Sequence, residues 1–426
     1  SPGPGPGPMA ARAPVPAPGA PPRPDAAGAP RSLYLHVPFC VSICPYCDFV
    51  VVAGAATRGP RNRIGALVGA LRQEIELRAP SGAGDAPPPL ETIYFGGGTP
   101  SLLPVEDIAG LIDLIRARFG IADGAEITLE ANPGPDERGD AAAFRDAGVT
   151  RISFGAQSFD PAELQRLGRR HGAGDIEAAV RGARSAGIGS INLDLLYDVP
   201  GQTVDAFART LEAALALEPD HLSLYALTLD DPDAEGLTGP GGDHLPTTRG
   251  ARRWRDAARP AQDEDRAAAM YEHAVARLAG AGFAGYEISN WARPGHESRH
   301  NLGYWRRQPH EAVGPGAHAF DGRIRRWNAA RLDGYLAALR REDGSPPRLP
   351  PGGSDPIDPR MAAAEAVILG LRLADGIPIV MGDEPPLAEH LAWAFGAGVL
   401  ERVQDARIAL TTRGRLVSNE LFRRLV

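Results

Sequence analysis

No lysine occurs anywhere in the chain of 426 residues; all 45 basic side chains are arginine. A coding bias toward arginine accounts for the absence, which still removes whole classes of chemistry. A phosphate-loop lysine, a pyridoxal Schiff base and a lysine general base are all excluded. Long apolar runs are missing too, so no membrane-spanning helix is expected. Excess positive charge is absent: the net charge of −8, mixed along the chain, argues against a nucleic-acid partner and speaks for solubility. Cysteine is scarce, with only Cys40, Cys44 and Cys47. An odd number of thiols without a secretory leader points to a reducing cytoplasm and to thiols used as ligands or nucleophiles.

Present instead is an ordinary globular composition, 43% hydrophobic and 23% charged, over a length that suits one large domain and one or two smaller ones. Residues 1–31 are rich in Pro, Ala and Gly and read as a disordered tail, with Met9 a candidate start and the first eight residues an upstream extension. From Ser32 onward, short apolar segments alternate with helical patterns. "SLYLHVPF", "ETIYFGGG", "EITLEAN", "RISFGAQ", "SINLDLLYD" and "HLSLYALTL" read as six buried strands. Between them lie helices such as the one marked by Ile108, Leu111, Ile112, Ile115 and Phe119. Strands joined by crossover helices form a parallel sheet, either an open incomplete barrel or a doubly wound sheet. Both place ligands at the C-terminal strand ends, where the cysteines, "GGGTP", Glu130 and Gln157 fall, with Asp194 inside the fifth strand.

The cysteines are spaced C-x3-C-x2-C within one loop. Clustered thiolates of this kind bind metal. Zinc needs four ligands, and His36 is the nearby candidate for the fourth. A [4Fe–4S] cluster on three thiolates keeps one iron open for another molecule, and this reading is preferred.

"C-x3-C-x2-C" followed by an aromatic residue, with "GGGTP" one strand later, resembles the radical S-adenosylmethionine superfamily. That resemblance implies an incomplete (β/α)6 barrel and S-adenosylmethionine chelated by the open iron, to be cleaved after electron transfer from the cluster. More closely, "LYLHVPFC…CPYCDF", "YFGGGTPSLL", "TLEANPG", "RISFGAQSFD…LGRRH", "INLDLLYDVPGQT" and "HLSLYALTL" are similar to oxygen-independent coproporphyrinogen III oxidase and its relatives. The similarity implies that Tyr34 lies beside S-adenosylmethionine, that Gly97, Gly98 and Thr99 meet its amino group, and that Glu130 holds its ribose. Gln157, Arg169 and Asp194 complete that pocket.

Two features distinguish branches of the group. The oxidase carries a fourth cysteine where this chain has Phe49, and "GYEISNWARPGHESRHNLGYW" resembles the HemW haem-chaperone branch. In that branch His300, Asn301, Tyr304 and Trp305 would contact haem. Asp198 stands where the group usually has glycine, which puts the geometry of that turn in question. The resemblance implies a haem-binding chaperone that delivers haem to client proteins, with radical decarboxylation of coproporphyrinogen III as the enzymatic alternative. An electron donor such as a flavodoxin or ferredoxin is implied, and peripheral membrane contact is left open. The expected layout is a barrel over 32–229, a linker or lid with the HNLGYW region over 230–342, and a smaller α+β region with a winged-helix-like module over 343–426.

Overall fold

The computed structural model describes residues 28–80, 87–229, 233, 236–340 and 345–426, so most of the expected N-terminal tail lies outside the described residues. Six strands run parallel in sequence order: β1 (Ser32–Val37), β2 (Leu90–Gly97), β3 (Ile121–Ala131), β4 (Arg151–Gln157), β5 (Ser190–Tyr197) and β6 (His221–Ala226). They are linked by α1 (Ile64–Arg78), α2 (Val105–Phe119), α3 (Ala141–Asp146), α4 (Pro161–Arg166), α5 (Ala173–Ala186) and α6 (Val204–Leu215). An order that never reverses belongs to a barrel wall; a doubly wound sheet reverses at its switch point. The wall does not close on itself, since the sheet has two ends. The fold is the incomplete (β/α)6 barrel.

Alternation along each strand sets the two faces. Leu33 and Leu35, Ile93 and Phe95, Ile127 and Leu129, Ile152 and Phe154, and Ile191 and Leu193 are buried in the main apolar core with the crossover helices. Their neighbours one residue away, among them Tyr34, Tyr94, Glu130, Ser153 and Asp194, line a cavity inside the barrel. The wall is therefore apolar outside and polar within.

Further strands extend this sheet on both sides. After α7 (Arg249–Ala258) and α8 (Glu264–Gly280), β7 (Ala284–Gly285) and β8 (Asn290–Ala292) continue antiparallel beside β6. The helix α9 (Arg299–Trp305) leads to β9 (His310–Val313), which runs parallel beside β1. β10 (His318–Phe320), β11 (Ile324–Asn328) and, beyond α10 (Leu332–Leu339), β12 (Gly352–Pro356) complete a twelve-stranded sheet. The segment read as linker or lid thus supplies helices and sheet edges. Strands of two to five residues are too short to leave an alternation signal. The C-terminal part comprises α11 (Pro359–Arg372), β13 (Ile377–Pro378), α12 (Ala388–Gly396), the hairpin β14 (Leu400–Val403) and β15 (Arg407–Leu410), and the short helices α13 (Thr412–Leu416) and α14 (Ser418–Phe422). β13 pairs with β15, and this small sheet has its own core around Leu371, Ile377, Leu400 and Ile408.

Asp198 sits at φ +56°, a left-handed conformation that suits glycine but that Asp tolerates. Its carboxylate pairs with Arg266 at 2.5 Å and accepts from the Asp263 N–H. These contacts tie the end of β5 to α8.

The added strands are anchored by one buried carboxylate. Glu74, on α1, is fully buried and accepts from Arg78 Nε (2.7 Å), Asn328 Nδ2 (2.8 Å), the Gly314 N–H (2.9 Å) and the Tyr335 hydroxyl (2.7 Å). These donors come from α1, β11, the turn after β9, and α10. Glu74→Gln places an amide N–H against donors, and is expected to cost about 2 kcal/mol. A lower thermal unfolding midpoint at unchanged helix content checks this; an unchanged midpoint overturns it.

Candidate functional site

The cysteine loop leaves β1 through Pro38 and Phe39. Phe39 is fully buried, and backbone bonds from Cys40 N to Val52 O (2.9 Å) and from Val52 N to Pro38 O (2.7 Å) close the base of the loop. Within it, Cys47 N bonds Cys44 O, turning the chain at Pro45 and Tyr46. Arg255 of α7 donates to the carbonyls of Pro45, Tyr46 and Cys47, clamping the outer turn. The stretch expected to be linker therefore contains a helix that holds the loop. Thr248 caps that helix through Ala251 N, and the arginine- and alanine-rich sequence favours it.

The glycines of "GGGTP" face this loop. A Cβ on Gly98 would lie 2.7 Å from the Phe39 carbonyl oxygen and 2.9 Å from Cys40 Sγ; one on Gly97, at φ +116°, would meet the His36 ring at 2.6 Å. Only glycine permits that approach. Thr99 is fully buried; its hydroxyl donates to Cys40 Sγ at 3.6 Å and it does not line the cavity.

The three thiols are free and all line one cavity of about 640 Å³. Burial pushes Cys40 up to about 11 and also raises Cys47. Thiolates at these positions need a compensating cation or metal. Arg169 supplies one positive charge, 3.5 Å from Cys44 Sγ, while also bonding Asn132 (2.5 Å) and the Gly155 carbonyl (2.6 Å). Among the described residues no three His, Cys, Asp or Glu side chains converge on a single ion position. His36 is committed elsewhere: Nε2–H donates to Val50 O (2.8 Å) and Nδ1 accepts from the Tyr34 hydroxyl (3.0 Å). Mononuclear zinc does not fit this donor set. Three separated thiols around a cradle that admits no Cβ do fit a cluster in which each sulfur takes a different iron.

Tyr34, Gly97, Gly98, Glu130, Gln157, Arg169 and Asp194 line the same cavity. Glu130 accepts from the Tyr94 hydroxyl (2.8 Å) and the Gly97 N–H (2.9 Å), and burial pushes its carboxyl up to about 7. Asp194 accepts from Ser153 (3.0 Å) and Asn192 (2.8 Å), with burial again raising its pKa. Gln157 stands at a bulge in β4, at φ +68°. Asn132 and Tyr94 were not singled out in the sequence, although Asn132 lies two residues beyond Glu130, just past the end of β3, and Tyr94 is paired with Tyr34. The period of two was the available signal.

His300, Asn301, Tyr304 and Trp305 line this cavity as well. His300 is buried and uses both ring nitrogens, Nδ1 with Thr92 Oγ1 (2.7 Å) and Nε2 with the Tyr304 hydroxyl (2.8 Å); burial pushes it down to about 3. It is a neutral, satisfied imidazole whose Nε2 is free only when Tyr304 turns away. Phe49 is 63% exposed at the cavity rim.

Comparison with known proteins agrees with this geometry. Residues 34–214 match the radical SAM superfamily. The chain is 39% identical to the haem chaperone HemW of Mycobacterium tuberculosis, over 94% of its own length and 95% of that protein. With HemW of Bacillus subtilis the identity is 32%, over 92% and 98%. The coproporphyrinogen III oxidase HemN of Escherichia coli, a radical SAM enzyme, shares the fold, with a TM-score of 0.76 and 24% identity over 94% of this chain and 91% of that one. A barrel with three thiols at its mouth, and relatives matched from end to end, place this chain in the HemW haem chaperone family of radical SAM proteins.

Proposed function

We propose that the protein binds haem and passes it to client proteins, holding a [4Fe–4S] cluster on Cys40, Cys44 and Cys47 and S-adenosylmethionine beside it. The observation that carries this reading is that one cavity is lined both by the three thiols and by His300, Asn301, Tyr304 and Trp305. Glu130 and Asp194 would accept from the ribose and amino groups of S-adenosylmethionine, and Gly97 and Gly98 allow it close to the backbone. Held on Cys40, Cys44 and Cys47, the cluster would supply reducing electrons at the S-adenosylmethionine sulfonium, with a flavodoxin- or ferredoxin-type protein as the donor. Tyr94 and Tyr304 offer flat walls to a porphyrin face. No described helix is long and apolar enough to cross a membrane, and the proposed place of work is the cytoplasm.

Anaerobically reconstituted protein is expected to hold about four iron and four sulfide per chain, and Cys44→Ser to lose most of both. One zinc per chain without visible absorbance would overturn the cluster. Haem titration is expected to give a Soret band. His300→Ala should weaken binding, whereas Tyr304→Phe frees Nε2 from a bond of about 1 kcal/mol and should tighten it several-fold. Weakening in Tyr304→Phe with no change in His300→Ala removes His300 as a ligand. Decarboxylation of coproporphyrinogen III under reducing conditions would make delivery an insufficient account.

Glu130 gives the site a pH dependence. Its raised pKa leaves the carboxyl mostly ionised at pH 8 and mostly protonated at pH 6. An ionised acceptor holds hydroxyl groups more strongly. Calorimetric affinity for S-adenosylmethionine should therefore fall between pH 8 and 6, and Glu130→Gln should be weaker at pH 8 and flat. A wild-type profile as flat as the variant's removes Glu130 from the pocket.

A further inference from the structure

Four cavity-lining side chains have buried polar atoms without a hydrogen-bond partner: Glu287 Oε2, Asn290 Oδ1, Trp305 Nε1 and Arg372 Nε. They form one corner. Asn290 Nδ2 donates to Glu287 Oε1, Glu287 Oε2 lies 3.5 Å from an Arg372 terminal nitrogen, and the Arg372 guanidinium sits 4.3 Å over the Trp305 ring. Glu287 and Asn290 come from the turn into β8, Trp305 ends α9, and Arg372 ends α11 of the C-terminal module. Glu287 is wholly buried and Asn290 is 3% exposed.

An unpaired buried polar atom costs about 1–3 kcal/mol, so four in one corner mark a place completed by a ligand. The unmet groups are two acceptors and two N–H donors. The ion pair between Glu287 and Arg372 is already neutral, so a further net charge is disfavoured there. A carboxylic acid carrying its proton meets three of the four, with one O–H to donate to Glu287 Oε2 and a carbonyl oxygen whose two lone pairs accept from both N–H groups. The aromatic walls beside the corner, Tyr94, Tyr304 and Trp305, suit a flat ring system bearing such an arm.

We infer that this corner is a carboxylic-acid subsite that takes one propionic arm of the porphyrin, an inference that rests on the haem reading above. The arm's hydroxyl donates to Glu287 Oε2, and its carbonyl oxygen accepts from Arg372 Nε and Trp305 Nε1. The arm takes its proton from solvent on entry, and no bond is made or broken elsewhere. The C-terminal module thereby contributes directly to ligand recognition.

The test compares haem with haem dimethyl ester, whose arms cannot donate, by absorbance titration of the full chain. Wild type is expected to bind haem about tenfold more tightly than the diester. Arg372→Met and Trp305→Phe should each shrink that ratio toward one. Trp305→Phe keeps an aromatic ring under the guanidinium, so its result stands even if Arg372→Met loosens the module. Equal affinity of wild type for acid and ester, or an unchanged ratio in both variants, overturns the subsite while leaving haem binding intact. Absence of binding by either porphyrin overturns the haem reading itself and the subsite with it.

Discussion

The close approach of two chain segments at the barrel mouth governs the site. The turn after β2 presses against the exit of β1 so tightly that a single methyl group at Gly98 would collide with the Phe39 carbonyl and the Cys40 sulfur. His36 is held between Gly97 on one side and Gly314 on the other, where a Cβ would come within 2.5 Å of the His36 carbonyl oxygen. Its ring, lowered to about pKa 4 by burial, stays neutral and joins Tyr34 to the Val50 carbonyl. The orientation of the cysteine loop over the lumen follows from these contacts. Side-chain volume anywhere along this seam would tilt the thiols away from the space they share with Glu130 and Arg169.

Polar side chains inside the barrel are the second constraint. Arg151, Ser153, Asn192, Asp194, His221 and Ser223 face the lumen together, in a region where desolvation is costly. Several satisfy one another: Asn192 donates to Ser153 and Ser223 and its Oδ1 accepts from His221 Nδ1–H, while His221 Nε2 meets the Tyr286 hydroxyl. A network so nearly closed fixes the lumen's shape without a bound molecule. Burial raises the carboxyls of both Glu130 and Asp194 within this lumen.

Much of this was legible in the chain. The six barrel strands carry enough apolar residues to be read individually, and the thiol spacing identifies the loop whose cysteines line the cavity. The "GGGTP" turn could be placed because it directly follows an apolar strand in the sequence. The edges of the sheet were not legible: β7, β8 and β10 have two or three residues each, and their pairing is decided by distant segments. Helix α7 was hidden by a polar composition that also suits a linker, and only the contact of Arg255 with the cysteine loop reveals its use. Thr99 shows a different limit. Its neighbours in sequence predict the region it occupies, but the direction of its hydroxyl depends on Asn132 and Cys40 together. Arg372 could not have been connected to the lumen at all, because 70 residues or so of intervening chain carry no signal of which helix end turns inward.

That last residue lies where the two cores meet, beside the Glu287–Leu373 bridge and the packing of Leu416 against the main core. Leu371, beside it, packs into the core of the C-terminal module, while Arg372 reaches the barrel cavity. Any molecule that touches this guanidinium binds only when the module is docked. Thermodynamic linkage then works in both directions: occupancy of the lumen strengthens docking of the module, and loosening of the module lowers affinity in the lumen by the same factor. The small domain is thus energetically placed to report whether the barrel is loaded.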